Sequence, residues 1–397
     1  MMILFCACLA AVAYVYFGYP LALKLGFLGR RVVHVRGGGQ PSLSIIVAAH
    51  NEESTIEAKL KCLLESDYPR ERVEILIGSD GSSDKTEEIV RPYAKAGVGL
   101  VSFPRQQGKS AMQNSLAAVA SGEILVFTDA DSLFQPCALR CIVENFADPR
   151  VGLVTAHPRY CNASQTSIAR NESLYLRYDT WLREREGERG MLAMASGSLF
   201  AMRRSLWRPL DPAMGDDFVL PLEVARAGLQ NVIDMRVVAV TRLAQDRRAA
   251  MLRMKVRIIS KDFRTLLAHG ELLDPVKHGA LALGLLSHKL LRWLVPYFLL
   301  ALLASSCWLL DRPFFRVVLG LQGAFYVLAL VGFLRRDRAG PLLWSIPTTF
   351  CLVNLAALLG TLKCLAGRTS GQWTPDRRAA AAIPAVPEAA GASRGTK

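Results

Sequence analysis

Apolar stretches lie at both ends of this chain and enclose a central region of mixed composition. Residues 1–23 carry no charged side chain, and three further apolar stretches lie at about 291–310, 314–334 and 341–365. A bilayer core about 30 Å thick needs about 20 apolar residues of helix to cross it. The pattern therefore predicts a transmembrane anchor at 1–23 and about three transmembrane helices within 279–365.

Basic residues flank three of the apolar stretches. They are Lys24, Arg30, Arg31 and Arg36 after the first stretch, Lys289 and Arg292 before the second, and Arg335, Arg336 and Arg338 after the third. Cytoplasmic flanks of spanning helices collect such residues, so we expect the central region to be cytoplasmic. A cleaved signal peptide would begin with basic residues, and here the charge lies on the other side of the apolar stretch.

The central region, about 40–245, alternates short β-branched runs with helical patterns. Strands are predicted at 43–49, 73–78, 98–103, 123–128 and 151–156. The runs Ser-Ile-Ile-Val-Ala-Ala and Glu-Ile-Leu-Val-Phe-Thr-Asp are apolar almost throughout, as in strands covered on both faces of a parallel sheet. We expect an α/β domain with a mostly parallel sheet and a ligand crevice at the carboxyl ends of its strands.

Two segments outside this domain have their own character. Residues 251–276 alternate bulky apolar side chains with arginine and lysine, which predicts amphipathic helices in the membrane interface over about 246–278. The tail at 366–397 is rich in Ala, Gly, Pro and Arg and is predicted to lack fixed structure.

The formal charge of +14 accompanies a 51% hydrophobic composition, so the basic residues are assigned to the membrane surface and no nucleic-acid partner is expected. The nine cysteines include no Cys-x-x-Cys pair. They are interpreted as packing residues and not as a disulfide framework.

Polar residues follow the first two predicted strands. Asn51 and Glu52 come after the strand at 43–49, and Asp80 ends the strand that begins at Val73. Strand ends of this kind can present side chains to a ligand at the sheet edge, although Asn and Glu also begin ordinary helices. Gly81 and the serines after it are explained equally well by a tight turn.

The sequence Gly108-Lys109-Ser110 invites comparison with a phosphate-binding loop. That loop needs a glycine five positions before Gly108, where this chain has Phe103, so an ATP-driven transporter is disfavoured. Lys109 at a helix start remains a candidate partner for a nucleotide or pyrophosphate, with a solvated lysine as the alternative.

Two acidic pairs complete the candidate chemistry. Asp129 and Asp131 follow a buried strand and can jointly hold Mg²⁺ or Mn²⁺, although an acidic helix-capping turn would have the same sequence. Asp216 and Asp217 precede a predicted helix, where either could act as a general base or merely complement the helix dipole.

In this order and spacing, these segments resemble the family 2 glycosyltransferases over about residues 40–265. The flanking apolar stretches are similar to the membrane-embedded branch that includes hyaluronan, cellulose and poly-N-acetylglucosamine synthases. The resemblance implies a nucleotide-binding domain of the glycosyltransferase A type at the bacterial inner (plasma) membrane. It also implies a nucleotide-sugar donor, with UDP-glucose and UDP-N-acetylglucosamine as first choices, and a glycan or lipid-linked acceptor.

The resemblance further implies a role for each matching residue. The uridine would contact Glu52 and Asp80, and the nucleotide would contact Lys109. Asp129 and Asp131 would hold the diphosphate and its cation, and Asp217, in the pair with Asp216, would be the base of an inverting transfer. The stretch 195–204 would place Ser196, Gly197 and Ser198 near the acceptor; a core strand with a glycine bend is its structural alternative.

One departure from the family's pattern bears on the product. Processive members carry a Gln-x-x-Arg-Trp signature, whereas the matching stretch Met254–Ile258 keeps only Arg257, a candidate diphosphate partner. Without the aromatic platform, a single transfer is expected in preference to processive polysaccharide synthesis. A catalytically silent membrane protein that binds a nucleotide or glycan is the alternative from another class.

Overall fold

The computed structural model describes residues 1–161, 167–241, 248–335 and 342–368. The chain divides into two compact units. The helical unit comprises Met1–Arg30, Asn162–Glu186 and Gln245–Thr369, and the sheet unit comprises Arg31–Cys161 and Gly187–Ala244. Residues 369–397, which are most of the tail predicted to lack structure, lie outside the described residues.

The sheet unit contains one eight-stranded sheet. Its strands are β1 (Leu43–Ala49), β2 (Val73–Asp80), β3 (Val98–Phe103), β4 (Ile124–Phe127), β5 (Leu133–Phe134), β6 (Val151–Tyr160), β7 (Phe200–Arg203) and β8 (Gln230–Thr241), in the order β3-β2-β1-β4-β7-β6-β8-β5. The five strands predicted from the sequence are all present.

The sheet is mixed. Strands β3, β2, β1 and β4 form a parallel block, and β6 is parallel to β8. Strand β7 runs antiparallel to both β4 and β6, and β5 is antiparallel to β8. The expected α/β class is confirmed, and the antiparallel strand β7 is a feature that the alternating pattern did not predict.

Helices cover both faces of the sheet, numbered here along the whole chain. Those of the sheet unit are α3 (Ile56–Leu64), α4 (Thr86–Val90), α5 (Lys109–Val119), α6 (Ala138–Glu144) and α8 (Asp216–Arg226). Successive residues of a strand point to opposite faces. In β1, Ile45 and Val47 belong to one buried cluster, whereas Ile46 and Ala48 belong to another. Both faces of β1 are therefore buried, which explains its continuous apolar sequence.

The helical unit contains the remaining helices. They are α1 (Met2–Ala13), α2 (Tyr19–Leu25), α7 (Ser167–Gly187), α9 (Arg248–Ala268), α10 (Pro275–Gly284), α11 (Leu291–Trp308), α12 (Pro313–Leu334) and α13 (Leu342–Leu365). Short π-helical segments join α1 to α2 and α10 to α11. Among the described residues, four helical segments are long and apolar enough to cross a membrane: Met2–Leu25, Pro275–Trp308, Pro313–Leu334 and Leu343–Leu365.

Charged residues inside the helical unit are paired with one another. Asp179 of α7 accepts a hydrogen bond of 2.9 Å from Arg292, and Glu186 accepts one of 2.6 Å from the Tyr19 hydroxyl. The His288 ring contacts both carboxylates, at 3.2 and 2.8 Å. Because an unpaired charge in apolar surroundings is costly, this pairing accounts for ionisable side chains next to segments that can span a membrane.

Candidate active site

The candidate site lies at the carboxyl edge of the parallel block. Strands β1, β2 and β4 end there, and the order of the strands reverses between β1 and β4, which is where open α/β sheets bind ligands. Phe200, the first residue of β7, pairs with Phe127, the last residue of β4. The segment that enters β7 therefore lies beside the segment that leaves β4.

The turn after β1 is held in an unusual conformation. Asn51 has a φ of 54° and is the one non-glycine residue with positive φ in the described part of the chain. Its backbone N–H donates to the Ser82 hydroxyl at 3.0 Å, and its side-chain oxygen accepts from the Ser83 N–H. Glu52 is buried, and its carboxylate accepts a hydrogen bond of 2.7 Å from Thr55. Such a conformation persists only where its surroundings fix it.

Asp80 organises the loop before α5. Its side chain is 1% exposed, and its two oxygens accept hydrogen bonds from the backbone N–H groups of Gln107 at 2.7 Å and Gly108 at 2.8 Å. Gly81 follows with a φ of 66°, and a Cβ there would lie 2.5 Å from the Gln106 nitrogen. The carboxylate thus fixes the residues that lead directly into Lys109.

Lys109 is the first residue of α5, and its ammonium joins two acidic segments. Its Nζ lies 2.9 Å from Asp129 and 3.0 Å from Asp216. Burial acts to lower the pKa of Lys109, but the two carboxylates outweigh it and raise this pKa above its usual value. Two residues more than one hundred positions apart in the chain, Lys109 and Asp216, are therefore in direct contact.

The two adjacent aspartates of α8 have different surroundings. Asp216 is buried and accepts a hydrogen bond of 2.7 Å from the Gln113 amide in addition to its contact with Lys109. Burial acts to raise the pKa of Asp216, but Lys109 and Gln113 lower it, so the carboxylate stays ionised. Asp217 is partly exposed, and its backbone carbonyl accepts a hydrogen bond of 2.8 Å from the Ala195 N–H. Of the pair, Asp217 is the more accessible to solvent.

Asp129 and Asp131 form the acidic loop after β4. Burial, together with the nearby carboxylates of Asp129 and Glu52, raises the pKa of Asp131 to about 7. The ionised loop thus carries more negative charge than its surroundings neutralise.

This donor set fits Mg²⁺ or Mn²⁺. Within the described ranges, no group of three or more His, Cys, Asp or Glu side chains is arranged to hold a metal ion. Two carboxylate ligands are nevertheless typical of Mg²⁺ sites in which substrate phosphates and water complete the coordination. The Lys109 ammonium on Asp129 occupies a position where a cation is electrostatically favoured.

The segment before β7 packs against the acidic loop. The Ser196 N–H donates to Thr155 at 2.8 Å, and the hydroxyls of Ser196 and Ser198 lie 2.7 Å apart. A Cβ on Gly197 would lie 3.2 Å from Asp129, so only a glycine allows this close approach without a shift of the neighbour. Of the three residues predicted near the acceptor, Gly197 is therefore a direct neighbour of Asp129.

Lys59 is a residue that the sequence analysis missed. It is fully buried in α3, and its ammonium donates to the Thr128 hydroxyl and to the Ser132 carbonyl, each at 2.6 Å. Burial lowers the pKa of Lys59 to about 8, against the opposing effect of the nearby acidic groups. Its signal in the sequence is a lone lysine within the apolar face formed by Ile56, Leu60 and Leu63.

The structure brings several of the predicted residues together. Asp129 and Asp216 each contact Lys109, Gly197 lies beside Asp129, and Glu52 is an electrostatic neighbour of Asp131. Asp80 acts on Lys109 through the backbone of the intervening loop. Arg257 lies on α9 in the helical unit, and its role as a diphosphate partner stays a prediction.

Known proteins resemble part of this chain in sequence. Residues 44–209 match the family model described as Glycosyl transferase family 2. The chain is 30% identical over 201 residues to "Probable glycosyltransferase YdaM" of Bacillus subtilis, an alignment that covers 47% of each protein. It is also 30% identical over 171 residues to a beta-monoglucosyldiacylglycerol synthase of Trichormus variabilis, covering 42% of this chain and 36% of that protein. The matched part spans less than half the length of either relative.

One solved structure is similar over nearly the whole chain. It is the mannosyltransferase PcManGT from Pyrobaculum calidifontis, in complex with GDP-Man and Mn²⁺. The two structures superpose with a TM-score of 0.69 at 23% sequence identity, covering 92% of this chain and 99% of the other. The likeness confirms that the fold is of the glycosyltransferase A type.

Proposed function

We propose that this chain, which carries a glycosyl transferase family 2 domain over residues 44–209, is a membrane-anchored inverting glycosyltransferase. In this proposal it moves a hexosyl or N-acetylhexosaminyl group from a nucleotide-sugar to a lipid-linked or short glycan acceptor. The observation that carries the proposal is the ammonium of Lys109, on which the carboxylates of Asp129 and Asp216 converge. Three side chains from distant segments thereby form one charged cluster.

The nucleotide would lie against the ends of β1 and β2. The ordered turns at Asn51 and Asp80 leave backbone and side-chain groups of this edge in fixed positions, which favours recognition of a base and ribose. Lys109 offers a positive charge at the start of α5, where the helix dipole also favours phosphate.

Asp129 and Asp131 would hold Mg²⁺ or Mn²⁺ together with the diphosphate. The bound cation would neutralise the charge that builds on the leaving nucleoside diphosphate, the dominant electrostatic need of this reaction. The raised pKa of Asp131 supports this assignment, because a cation would relieve the carboxylate repulsion that raises it.

Asp217 would be the general base. Its neighbour Asp216 is held by Lys109 and Gln113, whereas the Asp217 side chain is partly exposed at the start of the same helix. In the transfer, the Asp217 carboxylate takes the proton of the acceptor hydroxyl as its oxygen bonds to the anomeric carbon. The bond from that carbon to the diphosphate oxygen breaks, and the configuration inverts.

A lipid or lipid-linked acceptor is supported by two observations. Four helical segments are long and apolar enough to cross a membrane, and a relative named for glucosyldiacylglycerol synthesis matches 42% of this chain. The stretch Met254–Ile258 lacks the Gln and Trp of processive members, which supports a single transfer. We place the membrane segments at 1–23 and 279–365, the interfacial helices at 246–278, and the catalytic domain at 40–245 on the cytoplasmic face.

The test is a transfer assay with the full chain purified in detergent. UDP-glucose, UDP-N-acetylglucosamine and GDP-mannose are each supplied with lipid extract, with and without Mn²⁺. We expect metal-dependent release of nucleoside diphosphate with a labelled lipid product. The Asp217→Asn variant should bind the nucleotide and lose turnover, whereas Glu223→Gln, on the same helix, should keep it.

Two outcomes would overturn the proposal. Nucleotide binding without transfer from any donor would favour a binding protein, and ATP hydrolysis that is lost in Lys109→Ala would favour a transporter. Unchanged turnover in Asp217→Asn would refute this residue's role as the base.

A further inference from the structure

The acidic loop is bracketed by one buried lysine. The Lys59 ammonium donates to the Thr128 hydroxyl and to the Ser132 carbonyl, which are the residues immediately before Asp129 and after Asp131. Its Nζ also lies 4.6 Å from the centre of the Phe134 ring. Because α3 is packed into the core on both sides of Lys59, through Ile56, Leu60 and Leu63, the ammonium is a fixed point for this loop.

The same contact extends to the segment before β7. The Thr128 hydroxyl, which accepts from Lys59, donates in turn to the Ser198 carbonyl at 2.6 Å. One side chain of α3 thus connects, through a single hydroxyl, the loop that follows β4 and the segment that enters β7. Networks of this kind are worth more than their separate hydrogen bonds, because each member fixes the next.

The burial of Lys59 needs an explanation other than packing. A lysine with 0% exposure costs more to bury than the leucine or methionine that would fill the same volume. Its two hydrogen bonds go to a hydroxyl and a carbonyl, not to a carboxylate partner. The negative charge that it can balance is that of Asp129 and Asp131, which act on it through space.

We propose that Lys59 is a positioning residue that holds Asp129 and Asp131 in the arrangement that takes the divalent cation, with Thr128 as the link to the acceptor-side segment. This inference rests on the proposed function, because it assigns a supporting role at the same cation site. In this role Lys59 is not a ligand of the cation, and it acts through the Thr128 hydroxyl and the Ser132 carbonyl on the two sides of the acidic loop. Partners that orient metal ligands typically change metal affinity by about 10–100-fold when they are removed.

The experiment measures Mn²⁺ binding to the full chain in detergent with UDP present and no acceptor. Free Mn²⁺ is followed by electron paramagnetic resonance, a readout that needs no turnover. We expect Thr128→Val and Lys59→Met to raise the dissociation constant of Mn²⁺ by about 10–100-fold. Thr128→Ser keeps the hydroxyl and should stay within about twofold of the wild-type constant.

Two controls separate positioning from loss of structure. Leu43→Ala removes a buried side chain at the end of β1 opposite the site and should lower stability without weakening Mn²⁺ binding. Lys61→Met removes an exposed lysine from the same helix as Lys59 and should leave both unchanged. In the transfer assay, Thr128→Val should need more Mn²⁺ for half-maximal rate and recover most of its kcat at saturating Mn²⁺.

The outcomes distinguish this inference from the proposed function. Wild-type protein that fails to bind Mn²⁺ with UDP would overturn the cation site itself, and with it this inference. If the wild-type protein binds Mn²⁺ and the folded Thr128→Val variant binds it with the same affinity, the role of Lys59 and Thr128 alone is overturned. A kcat lowered equally at all Mn²⁺ concentrations would also overturn it, since that result indicates a purely structural effect.

Discussion

The proposed nucleotide side of the site, around Asn51 and Asp80, and the proposed cation side, around Asp129 and Asp131, satisfy their polar groups in different ways. Asp80 is buried with a backbone N–H on each oxygen. Asp131 is partly buried beside other carboxylates, and its pKa is raised to about 7. The Asp80 carboxylate therefore has its hydrogen bonds without a ligand. The carboxylates around Asp131 carry negative charge that a divalent cation would neutralise.

This difference shows where binding and folding free energy are coupled. A carboxylate that accepts backbone hydrogen bonds stabilises the fold in its charged form. A carboxylate crowded by others destabilises the fold in that form, and the same repulsion strengthens cation binding. Changes on the two sides should therefore alter stability with opposite signs.

The largest expected effect is that of Asp131→Asn on activity. Loss of one cation ligand should lower kcat by about 10³–10⁵-fold, because a bound cation contributes several kcal/mol to stabilisation of the transition state. The unfolding temperature of the metal-free protein should stay unchanged or rise, because the neutral amide no longer repels Asp129 and Glu52. Transfer assays and thermal unfolding in detergent measure the two quantities. A marked fall in the unfolding temperature would contradict the contrast between the two sides.

Asp80→Ala should act mainly on stability. It leaves the N–H groups of Gln107 and Gly108 without their acceptor, at about 1–3 kcal/mol for the buried Gly108 group and a smaller cost for Gln107, which is more exposed. Denaturant unfolding measures the change. Asp67→Ala, which removes an exposed ion pair with Arg140, is the control and should cost at most about 1 kcal/mol. Equal losses of stability in the two variants would show that Asp80 does not fix the loop before α5.

Gly81→Ala should produce a smaller loss on the same side. A non-glycine residue in the left-handed region costs about 1–3 kcal/mol, and here the added Cβ would also lie 2.5 Å from Gln106. Gly228→Ala is a matched control, because Gly228 has a φ of 75° with no atom within 4 Å of the added Cβ. The difference in unfolding free energy between the two variants measures the steric part alone. No difference would show that the turn adjusts freely.

The smallest expected effect is that of pH on the cation side. The folded-state pKa of Asp131 is raised to about 7, well above that of an aspartate in an unfolded chain, so the metal-free fold keeps a proton that the unfolded chain releases. Its contribution to stability is present at low pH and is lost as the pH rises through 7. Mn²⁺ binding needs the carboxylate and should weaken by up to about tenfold per pH unit below 7. Both trends should be absent in Asp131→Asn, and their persistence there would assign them to another group.

Most of the strands could be predicted from the sequence because their burial on both faces gives continuous apolar runs. The residues at the strand ends followed from the same argument, since parallel strands end at one edge. The direction of β7 could not be predicted, because direction depends on pairing with distant strands and a run of four residues, Phe200–Arg203, gives no periodicity to read.

Other features depend on contacts that no local pattern contains. Asp216 and Asp217 are adjacent and chemically identical in the sequence, and only the contacts of Asp216 with Lys109 and Gln113 separate them. The place of Lys59 on the apolar face of α3 can be read from the sequence, but its contacts with Thr128 and Ser132 cannot, because they depend on which loop packs over the helix.

The antiparallel course of β7 has a consequence for engineering. Because this strand enters the sheet at the edge where β4 leaves it, residues 196–198 form the approach to the strand and not part of its hydrogen-bonded ladder. Exchanging or lengthening the approach shifts no strand register. If residues 196–198 contact the acceptor as we propose, a designer can vary this approach, with Gly197 kept beside Asp129, while the sheet and the turns after β1 and β2 remain as they are.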